Sequence, residues 1–182
     1  MNRVDDHILV RQSLQGDRKA FEEIVERYYK PIYNAAYRVV IDPDDAEDIT
    51  QTVFIKAFEK LHNFNFDHRL FSWLYRIAIN ESLNVLRQKE RFVRYDEETV
   101  RSENKLGESH DTGDLHRMID QALQRLKLEY RTVVVLFHFQ NLSYSEMSYI
   151  LDIPEKTIKS RLFTARNLLK ETLLKKHFDL HE

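Results

Sequence analysis

The chain has 182 residues, 42% of them hydrophobic, and a formal net charge of −2, so it can bury a core and is not a disordered polyanion or polycation. It has no cysteine, which excludes disulfide frameworks, thiolate nucleophiles and cysteine-built zinc sites, and suits a reducing compartment. With three glycines and three prolines it lacks the turn residues of a hairpin-rich fold, and the isolated Gly16, Gly107 and Gly113 form no phosphate-cradling loop. The first 15 residues hold no long apolar run, and no stretch approaches the roughly 20 apolar residues of a membrane span. The composition therefore points to an intracellular, all-α protein.

In chain order, a short helix from about Asp5 is expected to end at Gly16. A long helix over Asp17–Val40 follows, with Phe21, Ile24, Val25, Tyr28, Ile32, Ala35, Ala36 and Val39 at three- and four-residue steps and a kink at Pro31. Asp42-Pro43 supplies an N-cap and a proline at the first helical position. Asp44, Asp45, Glu47 and Asp48 then crowd the turns where the helix dipole favours negative charge. The loop His62–Arg69 holds Phe64 and Phe66, and a helix over Leu70–Lys89 ends in basic turns.

Residues 93–113 are polar and contain few large apolar side chains, which reads as a flexible linker between domains at 1–92 and 114–182. Leu115–Leu126 reads as helix. Glu129–Phe139 contains Val133-Val134-Val135, strand-like by propensity, but a lone strand would leave its backbone unpaired, so helix is expected. Ser143 and Glu146 form a capping-box pattern, Leu151–Ile153 a tight turn, and Pro154 starts a helix to about Lys175. The fold expected is two small helical domains joined by a flexible linker, the C-terminal one containing a helix-turn-helix.

The modest net charge hides its distribution. Arg69–Arg94 and Glu155–Lys176 are strongly basic, whereas acid concentrates in Asp42–Asp48 and Asp96–Asp120. Ile158, Leu162, Ala165 and Leu169 fall at packing spacing on the last helix. Lys156, Thr157, Lys159, Ser160, Arg161, Phe163, Thr164 and Arg166 are left for a DNA groove or, more plainly, for solvent. A stand-alone dimeric repressor would use this half and leave Asp44–Asn80 idle. A nucleic-acid enzyme finds no triad, no carboxylate pair and no metal-ligand spacing, and the acids after Asp42 lack the glycine and the twelfth-position glutamate of a calcium loop.

The stretch Leu142–Arg166 resembles the −35 reading module, region 4, of extracytoplasmic-function sigma factors. Asp44–Phe58 resembles their region 2.2 helix and Phe71–Asn80 their −10 reading helix, in the family's order. The resemblance implies docking on the β′ clamp helices of core RNA polymerase through Asp45, Asp48, Gln51, Phe54, Ile55 and Phe58, with a second contact to the β flap. It implies a non-template-strand surface of Phe64, Arg69, Trp73, Arg76, Asn80, Asn84 and Arg87. It also implies promoter DNA as a partner, an anti-sigma factor (a membrane-anchored one among the options), a cytoplasmic location, and neither cofactor nor metal. Phe54, Ile55, Phe71, Trp73 and Tyr75 could equally be core. Asn141 and Lys156 stand where the family often has glycine; asparagine tolerates a left-handed backbone.

Overall fold

The computed structural model describes residues 5–96 and 114–179; of the expected linker, 93–113, residues 97–113 lie outside the described residues. Among the described residues the chain is helical without a strand, and no helix is long and apolar enough to cross a membrane. The first domain comprises α1 (Asp6–Leu14), α2 (Arg18–Val40), α3 (Pro43–Lys60), a 3₁₀ turn (Leu61–Asn63) and α4 (Leu70–Asp96). The second comprises α5 (Asp114–Gln124), α6 (Leu128–Val134), a π turn (Val135–Phe139), α7 (Tyr144–Leu151) and α8 (Glu155–Asp179).

Local chemistry explains the helix ends. The Asp17 carboxylate accepts from the Lys19 and Ala20 amides, and Asp42 accepts from Asp44 and Asp45 with Pro43 following it. Ser143 and Glu146 form the full capping box that starts α7. α2 runs through Pro31 as one helix and stops at Ile41, which takes a left-handed φ of 59°, an uncommon conformation for a β-branched residue. Asn141 and Asp152 also have positive φ, and both are residue types that tolerate it.

Two boundaries differ from expectation. α4 continues to Asp96, beyond the helix end expected at Lys89, because nothing between Leu86 and Asp96 breaks a helix. The Val133–Val135 run is not a uniform α-helix. The chain winds into a π turn over Val135–Phe139, and the Leu142 amide returns to the Leu136 carbonyl at 3.2 Å. This places Val133, Val134, Val135 and Leu136, each at most 2% exposed, in the core of the second domain.

Ile24, Ile32, Val39, Ile49, Val53, Leu74, Ala78 and Ile79 join α2, α3 and α4, and Met147, Ile150, Ile158, Leu162 and Ala165 join α7 to α8. The domains also touch. Arg131 reaches from α6 to the Val39 carbonyl at 2.7 Å while binding the carbonyls of Leu123, Gln124 and Leu126 at the end of α5. The Tyr75 hydroxyl, fully buried in α4, donates to Gln140 Oε1 at 2.6 Å, and burial pushes its pKa up.

Candidate nucleic-acid interface

α3 carries its proposed contact residues on two faces. Asp48, Gln51, Ile55 and Phe58 form an outward stripe at three- and four-residue spacing; Ile55 is 60% and Phe58 61% exposed. Phe54 lies at the floor of this stripe, buried and stacked 6.1 Å from Tyr29, so it supports the stripe and offers little surface of its own. Phe21 meets Phe58 edge-on at 5.0 Å, and these rings with Phe54, Ile55 and Glu59 line a shallow groove of roughly 350 Å³. Asp45 is held by Lys89 from α4, whose ammonium also lies 3.6 Å from Asp42. Burial would lower the Lys89 pKa, but these two carboxylates raise it.

From Arg69, which immediately precedes α4, through Trp73, Arg76, Asn80, Asn84 and Arg87 of the helix, these residues recur every three or four positions and share one face. Asn80, Asn84 and Arg87 are exposed, and Trp73 is half-buried. Phe64 departs from the expectation of an accessible base-stacking ring. It is only 6% exposed, enclosed by Trp73 at 5.5 Å, Phe66 at 5.1 Å and His7 at 6.0 Å, because the 3₁₀ turn before it folds the loop inward. Tyr75 is likewise core, and Phe71 packs on it at 4.5 Å.

The two cations at the start of this face are already engaged. Arg69 pairs with Glu146 at 3.1 Å. Arg76 donates to the Tyr149 carbonyl at 3.0 Å and its guanidinium lies 4.9 Å from the Tyr149 ring centre. His68 stacks on that ring at 3.9 Å with a 25° tilt. Burial alone would raise the Glu146 pKa, yet the Ser143 amide and hydroxyl together with Arg69 hold it below the usual carboxylate value. Sequence reading missed His68, Tyr149 and Arg131, since their partners lie tens of residues away.

The second domain presents α7 and α8 as a helix-turn-helix. Ile158, Leu162 and Ala165 of α8 face inward. Lys156, Lys159, Ser160, Phe163 and Arg166 are exposed, Phe163 at 69%, while Thr157, Arg161 and Thr164 are half-buried. Lys156 sits in the first turn of α8; the left-handed turn residue is Asp152. Arg161 pairs with Glu129 at 3.1 Å, and Lys159 lies 5.1 Å from the Tyr144 ring centre and 3.5 Å from Glu155. Arg166 lies 5.1 Å from the Phe137 ring centre and donates through Nε to His138 Nε2 at 3.3 Å; burial and the Arg166 charge lower the His138 pKa. Among the described residues no three metal-ligating side chains converge.

Comparison with known proteins fits this division of the chain. Residues 24–92 match sigma-70 region 2, and residues 116–169 match sigma-70 region 4. The ECF RNA polymerase sigma factor SigW of Bacillus subtilis is 33% identical over 176 residues, covering 90% of this chain and 94% of its own length. CnrH, solved in complex with the cytosolic domain of CnrY, superimposes with a TM-score of 0.71 at 27% identity, over 92% of this chain and 96% of its own. RpoE of Bartonella quintana, solved with the anti-sigma factor NepR, gives a TM-score of 0.72 at 29% identity, over 85% and 97%.

Proposed function

Because the chain belongs to the extracytoplasmic-function (ECF) sigma factors of RNA polymerase, we propose that it docks on core polymerase through the outward stripe of α3 and reads promoters with two separate surfaces. Transcription initiation at selected promoters is the family's work. The observation that carries the assignment of surfaces is their separation on one chain: an exposed acid-and-apolar stripe on α3, and cationic faces on α4 and α8.

Each surface suits a different state of DNA. α8 projects Lys156, Lys159, Ser160, Phe163 and Arg166 from a helix-turn-helix, the geometry that enters a duplex major groove, with Thr157, Arg161 and Thr164 at its flanks. The α4 face combines Trp73 with Asn80, Asn84 and the cations Arg69, Arg76 and Arg87, able to stack on unpaired bases, read their edges and follow phosphates. Stacking contributes about 1–3 kcal/mol per captured base, which offsets the loss of pairing and favours the opened duplex. The chain supplies binding energy and no covalent chemistry, so it works as a specificity subunit and not as an enzyme.

The matched segments support domains over 1–92 and 114–182 with a linker at 93–113, read respectively as the polymerase and −10 module and the −35 module. On the polymerase, the α3 stripe meets the β′ clamp helices and the second domain the β flap. Action on polymerase places the protein in the cytoplasm, and an anti-sigma factor is its expected antagonist, as NepR is bound to the RpoE relative. The test is capture of the purified chain by bacterial core polymerase without DNA, followed by run-off transcription on fragmented genomic DNA. Retention on core and discrete start sites are expected. A chain that binds duplex DNA but not core polymerase would be a stand-alone regulator.

A further inference from the structure

We propose that α7 is a built-in lid that closes the single-strand surface of α4 in the free protein, and that it does so by imitating a nucleotide. The inference rests on the reading of α4 as the −10 surface given above. Three groups on α7 face that surface. The Glu146 carboxylate takes Arg69 at 3.1 Å, as a phosphate would. The Tyr149 ring stacks on His68 at 3.9 Å and under the Arg76 guanidinium at 4.9 Å, as a base would. The Tyr149 carbonyl accepts from Arg76 at 3.0 Å, as a base edge would.

The fit follows from helix chemistry. Tyr149 lies in the last turn of α7, where carbonyls lack partners within the helix and the dipole is negative, so a guanidinium is favoured there. Glu146 is fixed by the capping box and therefore reaches Arg69 without first being ordered. By the same logic His68 joins the α4 surface as a base-stacking residue, a role Tyr149 occupies in the closed chain.

The closed arrangement cannot be the promoter-bound one. Elements centred about 25 base pairs apart span about 85 Å of duplex at roughly 3.4 Å per pair. Here the helix-turn-helix rests directly on α4. Docking on polymerase must therefore draw the two domains apart, exposing the surface where melted DNA becomes available. The exposed residues of α8, including Phe163, do not take part in the closure.

The chain's lack of cysteine makes the test clean. His68→Cys and Tyr149→Cys introduced together, treated with a short bismaleimide, should give an intramolecular crosslink. The crosslinked protein should lose binding to a labelled pool of single-stranded DNA of randomised sequence, read by anisotropy. Tyr149→Ala should bind that pool at least fivefold more tightly than the unaltered chain. Glu146→Gln, which keeps the capping acceptor and so guards against a folding artefact, should bind it two- to threefold more tightly. Failure of the crosslink to form, or Tyr149→Ala and Glu146→Gln binding no better than the unaltered chain, overturns the lid. A different result marks failure of the −10 reading itself: the lid crosslinks, but Arg76→Ala in the Tyr149→Ala background leaves DNA binding unchanged.

Discussion

The cationic faces of α4 and α8 look alike in composition and differ in availability. On α4 the leading arginines are occupied by a carboxylate, a carbonyl and a ring from the other domain. On α8 Lys159, Arg161 and Arg166 meet neighbours within their own domain, Glu155, Glu129 and His138, and Phe163 stands open. Charge count identifies a nucleic-acid surface, but its partners in the free chain decide whether it is ready. A surface for unpaired bases will take any exposed strand, since every base has a face to stack. Covering it until polymerase is engaged gives selectivity that the duplex-reading face obtains from groove geometry alone.

The sharpest break in that comparison is within the α4 region. Phe64→Ala should cost about 3 kcal/mol of stability, because a buried ring leaves a cavity. The half-buried Trp73→Ala should keep polymerase binding while abolishing permanganate reactivity of −10 thymines. Equal losses of melting temperature in both variants would return Trp73 to the core. Next in size, Ile55→Asp should weaken core-polymerase binding by about 2 kcal/mol, roughly 30-fold, with an unchanged melting temperature, since the side chain is exposed. An unchanged affinity would move the docking stripe elsewhere.

On the open face, Lys159→Ala should lower duplex −35 affinity several-fold and reduce the slope of log affinity against log salt by about 1. The smallest effect concerns His138. Its neutral form accepts from Arg166, and its folded pKa is lowered. Burial first and the Arg166 charge second favour the neutral ring, so the stability it contributes is present above the ordinary histidine value and is lost as pH falls through the folded value. An NMR titration should place the His138 midpoint below that of a free histidine; a midpoint at or above it would mean that the ring is neither buried nor beside Arg166 in solution.

Much of the architecture was legible because its causes are local. Asp17, Asp42 and Ser143 announce helix starts through side chains that cap within three residues. The outward stripe of α3 follows from periodicity. The Val133–Val135 run was ambiguous because strand propensity and a buried helix ask for the same residues, and the want of a strand to pair with decided it. Phe64 could not be sorted from Trp73 by sequence: both are aromatic and nine residues apart, and only the 3₁₀ turn separates inside from outside. The contacts that close α4 join residues more than 70 positions apart, beyond the reach of any spacing rule.

The left-handed turn at Ile41 ends α2 with the Val39 carbonyl free to be taken by Arg131 of the neighbouring domain. That clasp and the α7 contact lie on one covalent chain, so dilution cannot loosen them; their strength is set by the residues and not by how much protein the cell makes. If the shut form outnumbers the open one tenfold, every ligand that needs the open form binds about tenfold more weakly, a handicap of about 1.4 kcal/mol. Substitutions on the second-domain side of these seams, at Arg131, Glu146 or Tyr149, would therefore reset the polymerase concentration at which the factor engages, while leaving its promoter preference unchanged.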